Sequence, residues 1–382
     1  LKKLAIVVSH PIQYYAPVFK LLAKQCDLKV FYTLGNLLSE VKYDYGFRRN
    51  ITWDIPLLDG YCYQFEENTS KQPGDYHFSG IKNLSLINDI TSFNPDALLI
   101  YGWAYHSHLK VIRYFKGKVP IWFRGDSTII DDQNFIKKKI RKLFLLWVYK
   151  HVDLAFYPGY AAKRYFKAFG LKETQLIFAP HAIDNERFSD DKHFDSLNIR
   201  KRLGIEEEQI LILFAGKLES KKNPILLLEV FKQLNRSDVH LLFVGNGILE
   251  NSLKEKALPC KDQIHFIDFQ NQRIMPSVYQ AADLYCLPSK GPGETWGLSV
   301  NEAMAAGKAI IVSDKVGSAE DLVQKQNGVI FKSEQTNDLL DNLNLILDKE
   351  KLKTMGISSK NIIKNWTIEK QVVAIIESLN AC

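Results

Sequence analysis

Short apolar runs alternate with longer amphipathic segments along almost the whole chain, and this alternation restricts the fold more than any other feature. In the first half the runs fall at 4–8, 28–32, 97–101, 121–124, 154–157 and 176–179, with helical patterns such as 17–24 and 84–93 between them. In the second half they fall at 210–215, 240–244, 264–267, 284–287, 309–312 and 328–331, separated by helical patterns at 224–234, 248–256, 275–282, 299–306 and 319–324. Strands that are apolar on both faces and joined by helices form parallel sheets covered on both sides. About twelve strands are too many for one closed eight-stranded barrel. The expected fold class is therefore α/β, with two doubly wound Rossmann-like domains. A length of 382 residues agrees, at roughly 150 residues per domain. The expected boundaries are 1–190 and 191–365, with the break in the polar stretch 184–208. A last helix, 366–382, is expected to cross back to the first domain.

Composition removes several classes. With 46% hydrophobic and 24% charged residues, the chain is not disordered, collagen-like or coiled coil. No apolar run reaches the ~18 residues that a membrane-spanning helix needs. The apolar start, Leu4 to Val8, is short and lacks a small-residue cleavage site before Pro11, so it reads as a buried first strand rather than a signal peptide. Five cysteines without a C-x-x-C pair predict a reducing cytoplasm, with no disulfide framework and no zinc site. The net charge of +7 is uneven: residues 1–190 carry an excess of +8, and residues 191–382 carry −1. An anionic surface should therefore meet the first half.

Ligands of doubly wound sheets bind at the carboxyl ends of strands. After the run 210–215 comes Gly216-Lys217-Leu218-Glu219-Ser220-Lys221-Lys222-Asn223-Pro224 and then a helix. Glycine permits the turn, proline suits the first helical turn, and Lys217 and Lys222 sit where a helix N-terminus also favours anions. Two cations there would neutralise a diphosphate; the same loop is equally readable as solvated surface charge. After the run 284–287, a Gly/Pro-rich loop carries Glu294, and a helix starting near Gly297 and Leu298 carries Glu302. Free N–H groups from Trp296 to Ser299 can cradle phosphate oxygens, and the two carboxylates can accept hydrogen bonds from hydroxyls. Acidic residues near a helix start also complement its dipole.

Glu294 and Glu302 form an E-x7-E pattern within Glu294-Thr295-Trp296-Gly297-Leu298-Ser299-Val300-Asn301-Glu302-Ala303-Met304-Ala305-Ala306-Gly307, which closely resembles the signature of the retaining GT-B glycosyltransferases of the fourth sequence family, often called group 1. Phe214-Ala215-Gly216-Lys217…Lys222-Asn223-Pro224 resembles that family's diphosphate loop, and Val244-Gly245-Asn246-Gly247, Ala281-Ala282-Asp283-Leu284 and Ser313-Asp314…Gly317-Ser318-Ala319-Glu320 follow its order. Ala179-Pro180-His181-Ala182-Ile183-Asp184 looks like the family's entry into its interdomain linker. The resemblance covers about 150–335; the first 150 residues agree only in general layout.

The resemblance implies a GT-B architecture, two Rossmann-like domains facing a cleft, and a metal-independent transfer of a sugar from a nucleotide sugar to a cell-surface glycan or lipid-linked acceptor; UDP is the nucleotide expected on prior grounds, since the sequence itself does not give the base. No cofactor and no metal are expected, and no Asp-x-Asp occurs. Lys217 and Lys222 would bind the diphosphate, Glu294 the transferred sugar, and Glu302 the ribose. Gly216 and the backbone of Trp296, Gly297 and Leu298 would hold the phosphate and sugar, with the base near Phe269 to Gln272. The family more often has arginine where Lys217 stands; lysine keeps the charge without the bidentate fork. The alternative enzyme is a sugar-nucleotide 2-epimerase of the same fold, which carries a different carboxylate and histidine set.

On the acceptor side the candidates are His10 after the first strand, Trp103 after the third, and Arg124 and Asp126 after the fourth. His10 is equally readable as a turn residue, and Arg124 with Asp126 as a structural ion pair. His106-x-His108 lacks the accompanying ligands of a metal site. Residues 135–148 read as a basic amphipathic helix, with Ile136, Ile140, Leu143, Phe144 and Trp147 on one face, expected to pack inward, and Lys137, Lys138, Arg141 and Lys142 on the other. That basic face is expected to contact an anionic membrane, placing the protein peripherally on the inner face of a bacterial plasma membrane. No recognition motif for nucleic acid accompanies it.

Overall fold

Every apolar run read as a strand forms one, within a residue at either end. The computed structural model describes residues 1–36, 42–44, 46–130 and 135–382, and for 42–43 and 135–138 the backbone alone. In chain order the strands are β1 (Lys3–Val8), β2 (Asp27–Tyr32), β3 (Lys42–Asp44), β4 (Arg49–Ile51), β5 (Cys62–Phe65), β6 (Ala97–Tyr101), β7 (Ile121–Arg124), β8 (Leu154–Tyr157) and β9 (Leu176–Phe178). They continue with β10 (Ile210–Ala215), β11 (Val239–Val244), β12 (Ile264–Ile267), β13 (Leu284–Leu287), β14 (Ala309–Ser313) and β15 (Gly328–Phe331). The sequence pattern misses β3, β4 and β5. Cys62 and Tyr63 are exposed at a sheet edge, where no apolar run is required.

The chain falls into two units. The first comprises Leu1–Lys42, Ile55–His181 and Ile368–Cys382; the second comprises Tyr43–Asp54 and Ala182–Thr367. In the first unit seven parallel strands run in the order β5-β2-β1-β6-β7-β8-β9. In the second, six parallel strands run β12-β11-β10-β13-β14-β15. All six residues of β10 are buried, as a central strand covered by helices on both faces demands. Strand order turns back between β1 and β6 in one sheet and between β10 and β13 in the other. Such a reversal opens a crevice at the strands' carboxyl ends.

Three expectations need correction. The break does not fall within 184–208: that stretch holds helices Asn185–Ser189 and His193–Arg202, and the second unit's long run begins at Ala182 rather than 191. The longer helix is tethered by buried Arg200, whose guanidinium donates to the carbonyls of Ala281 (2.9 Å) and Glu206 (2.7 Å) and to Asp283 (3.3 Å). A polar tether leaves no apolar period to read. The segment Tyr43–Asp54, taken as part of the first domain, belongs to the second unit.

The third correction concerns helix Phe135–Tyr149. The residues that anchor it are Leu145, Val148 and Tyr149, all at most 1% exposed. Ile140 and Leu143, expected in the core, are 67% and 70% exposed, and Phe144 is 37% exposed. The outward face therefore mixes apolar residues with exposed Lys139 and Lys142, while Arg141 is half-buried. The side chains of Ile136, Lys137 and Lys138 lie outside the described residues. Among the described residues no helix is long and apolar enough to cross a membrane.

Candidate functional site

In the second unit the loops after β10 and β13 flank the point where strand order reverses, and they carry the expected donor residues. The two loops are joined through the backbone, Lys290 N–H donating to the Lys221 carbonyl at 2.8 Å. Their side chains meet too: Lys222 Nζ donates to Glu294 Oε2 at 2.8 Å, and Ser289 Oγ donates to the same oxygen at 3.0 Å. Glu294 is only 9% exposed. Burial opposes its ionisation, but the charge and hydrogen bond of Lys222, with help from Lys221 and Ser289, hold the carboxyl below its ordinary range. Glu294 is thus an anion, not an acid. Gly216, directly after β10, has φ +149°, a conformation that L side chains rarely adopt.

Gly297 caps helix Leu298–Ala305 with φ +86°, in the left-handed region that glycine occupies without strain. A Cβ at Gly297 would stand 3.1 Å from Val316 and 3.2 Å from Leu287. The loop is pinned from the other side by Gly317 N–H donating to the Glu294 carbonyl and Ser318 N–H to the Trp296 carbonyl, both at 3.0 Å. The Trp296 ring is buried; its Nε1 donates to Asn301 (2.9 Å), and it packs on Trp366 at 5.4 Å. It braces the loop. Glu302 is 4% exposed, and Tyr279 donates its hydroxyl to Glu302 Oε2 at 2.7 Å. The aromatic partner fixes which way the carboxylate points.

Lys217 has a partner that sequence reasoning missed. Its Nζ lies 2.9 Å from Asp44 Oδ1 and 5.2 Å from the Phe47 ring centre. Arg49 of the same segment donates to Asn246 at 2.9 Å and lies over Phe269, against which Phe47 also packs at 4.8 Å. The only hint was local: Asp44 and Gly46 sit two apart, and Asp44 Oδ1 accepts from the N–H groups of Gly46 and Phe47 as an Asx-type turn does.

In the first unit His10, Trp103 and Asp126 follow the neighbouring strands β1, β6 and β7, and Arg124 is the last residue of β7, so the topology brings all four to one end of the sheet. His10 Nδ1 is 3.0 Å from Ser9 Oγ and 3.9 Å from Asp75. Trp103 is half-buried and packs edge-on to Phe144 at 5.3 Å. Arg124 is 3% exposed and clamps the carbonyls of Ala179 (2.9 Å) and Pro180 (3.2 Å), so its guanidinium braces the chain after β9. Beside it lies buried His181, whose ring stacks towards Tyr15 at 6.3 Å. Burial and then the Arg124 charge draw its pKa down to about 4, against the pull of Asp126. His108 is also internal, with Nε2 2.8 Å from Thr33 and Nδ1 3.0 Å from the Gly102 carbonyl. Both of its ring nitrogens are engaged inside the fold.

Comparison with known proteins agrees with this layout. Residues 195–365 match the family model for glycosyl transferases group 1. The lipopolysaccharide 1,2-N-acetylglucosaminetransferase of Salmonella typhimurium is 31% identical over 167 residues, covering 40% of this chain and 44% of that protein. The GDP-mannose-dependent monoacylated alpha-(1-6)-phosphatidylinositol monomannoside mannosyltransferase of Corynebacterium glutamicum is 26% identical over 225 residues, covering 56% and 58%. The chain spans about half the length of the curated relatives it matches. The crystal structure of Anabaena Alr3699/HepE in complex with UDP and glucose has the same fold, with a TM-score of 0.73 at 18% identity over 100% of both chains. The two parallel-sheet Rossmann-like units match GT-B glycosyltransferase structures, and residues 195–365 match the group 1 glycosyl transferases.

Proposed function

We propose that the chain is a retaining, metal-independent glycosyltransferase that moves a sugar from a UDP-linked donor to a cell-surface glycan or lipid-linked acceptor. The observation that carries this reading is the Lys222–Glu294 pair at the switch point of the second sheet, with Lys217 on the same loop. A nucleotide sugar already holds a good leaving group, so the protein's task is to stabilise departing diphosphate and the positive charge that grows on the sugar. Lys217, Lys222 and the free N–H groups at the start of helix Leu298–Ala305 do the first. The anionic carboxylate of Glu294 does the second, as a fixed charge rather than a proton carrier. Attack on the face that the diphosphate leaves, with a phosphate oxygen taking the acceptor's proton, keeps the configuration and requires no enzyme nucleophile.

Glu302, aimed by Tyr279, is assigned to the ribose hydroxyls. His10, Trp103 and Asp126 are assigned to the acceptor, and Arg124 to holding that region in shape. The outward face of helix Phe135–Tyr149 supports a peripheral position on the inner face of a bacterial plasma membrane: Ile140, Leu143 and Phe144 enter the lipid boundary, and Lys139 and Lys142 meet anionic headgroups. The names of two relatives, which speak of lipopolysaccharide and a phosphatidylinositol mannoside, agree with a lipid-linked acceptor. Proton NMR of the sugar released or transferred from an α-linked UDP-sugar tests the reaction. The first product is expected to be the α-anomer; a β-anomer overturns retention.

A further inference from the structure

Each cation assigned to the diphosphate already has a carboxylate on it, and the two carboxylates are of different kinds. Glu294 belongs to the loop that faces Lys222 and is fixed by Ser289. Asp44 comes from the excursion Tyr43–Asp54, which leaves the first unit's run of chain, packs on the second unit, and returns. The excursion is fastened at a distance from Lys217. Phe47 and Trp53 pack on Phe269 at 4.8 and 6.3 Å, Asn271 donates to the Thr52 carbonyl (2.5 Å), and Arg273 N–H donates to Asp54 (3.2 Å). Asp44 itself is held by Lys217 and by its own turn, the N–H groups of Gly46 and Phe47. The stem of Lys217 runs so close over Gly46 that a Cβ there would stand 2.4 Å from Lys217 Cδ. A side chain at residue 46 would make the end of Lys217 shift from this position.

We propose that Asp44 is a built-in stand-in for the donor's diphosphate: its carboxylate neutralises Lys217 in the empty protein and is displaced when a nucleoside diphosphate binds. This rests on the donor-site reading of Lys217 and Lys222. A diphosphate brings more negative charge than one carboxylate, and the two cannot share the lysine without like-charge repulsion. Binding therefore separates Asp44 from Lys217, and the cost of that separation is subtracted from the donor's affinity. The device keeps stray monovalent anions off Lys217 and favours a ligand that carries two phosphates.

The test titrates UDP, GDP, ADP, CDP and inorganic pyrophosphate calorimetrically into the wild-type chain and into Asp44→Asn, Gly46→Ala and Lys222→Met variants. Asp44→Asn keeps the shape and the acceptor for the Gly46 and Phe47 N–H groups while removing the charge. Gly46→Ala makes the end of the Lys217 side chain shift at Asp44 without altering charge. For the nucleotide that binds, Asp44→Asn is expected to tighten affinity roughly fivefold, the scale of a half-exposed ion pair, and Gly46→Ala to move it the same way. Unchanged or weaker binding by Asp44→Asn overturns the stand-in. If nucleotide then still binds wild type and is lost in Lys222→Met, the donor-site reading stands without it. Binding of no ligand by any of the four proteins overturns both.

Discussion

Lys222 donates to the carboxylate of Glu294 across 2.8 Å and so ties the loop after β10 to the loop after β13, where the strand order of the second sheet turns back. The pair is largely shielded, with the two side chains 15% and 9% exposed. Removing one partner from such a pair leaves an uncompensated charge and typically costs about 3 kcal/mol. Lys222→Met is expected to lose that much stability in urea denaturation, and adding Glu294→Gln to restore most of it. Additive losses in the double variant would mean that the two side chains are not coupled in solution.

Glu294 is held ionised, which separates its roles by pH. Its folded pKa is depressed, so its contribution to stability is present above the ordinary carboxylate range and is lost as pH falls through the lowered value. Between pH 5 and 8 the transfer rate should show no limb attributable to this group. Glu294→Gln is expected to reduce kcat at least 100-fold, the scale of a lost transition-state electrostatic contact, with nucleotide affinity within a few-fold of wild type. A rate limb that vanishes in Glu294→Gln would recast the residue as a general acid or base.

Glu302 and Tyr279 divide the nucleotide from the chemistry. Glu302→Ala is expected to weaken nucleotide binding about tenfold, the scale of one charge-assisted hydrogen bond, with kcat preserved at saturation. Tyr279→Phe removes only the 2.7 Å hydrogen bond that aims the carboxylate and should raise KM by a smaller factor. Wild-type nucleotide affinity in Glu302→Ala would contradict the ribose assignment.

Much of this was legible in the sequence because apolar runs must be buried on both faces to lie in the middle of a parallel sheet. That condition marks the nine interior strands among the twelve runs, while β9, β12 and β15 lie at sheet edges; the loops that follow β10 and β13 carry Lys217, Lys222 and Glu294, and the helix after the second loop carries Glu302. What escaped were features with no apolar period. Helix His193–Arg202 is held by the guanidinium of Arg200, and β5 lies at an exposed edge. Asp44 meets Lys217 across more than 170 residues of chain, a pairing for which local pattern holds no signal. The pattern over 135–148 predicts a stripe of Ile136, Ile140, Leu143, Phe144 and Trp147 facing inward, yet Leu145, Val148 and Tyr149 face the core. Apolar residues occur on both sides of that helix, so periodicity could not choose between them.

His108 and His181 are buried, and burial, helped at His181 by the Arg124 charge, draws both from the usual 6.5 down to about 4. Unfolded, each binds a proton as pH falls below 6.5, whereas folded it stays neutral until about 4. Stability is therefore full above the unfolded value and declines as pH drops towards 4, by roughly 3 kcal/mol for each histidine. Denaturation at pH 7, 5.5 and 4.5 should show this slope, and His108→Gln should flatten it. An unchanged slope would place its source elsewhere.

Flotation with liposomes isolates the outward face of helix Phe135–Tyr149. Ile140 and Leu143 replaced by serine should abolish flotation with anionic vesicles while the melting temperature holds, because these two residues are 67% and 70% exposed. Neutralising Lys139 and Lys142 should weaken it and reduce its salt sensitivity. Undiminished flotation of the serine variant would remove this helix from the membrane.

The most direct test of the donor site is thermal unfolding of the wild-type chain with UDP, GDP, ADP or CDP in the presence of EDTA. A ligand at about 100 times its dissociation constant adds about 2.7 kcal/mol, which raises Tm by roughly 5 °C or more in a domain of this size. The account predicts such a shift with UDP, undiminished by EDTA. No shift with any of the four, or a shift only when a divalent cation is added back, would contradict it.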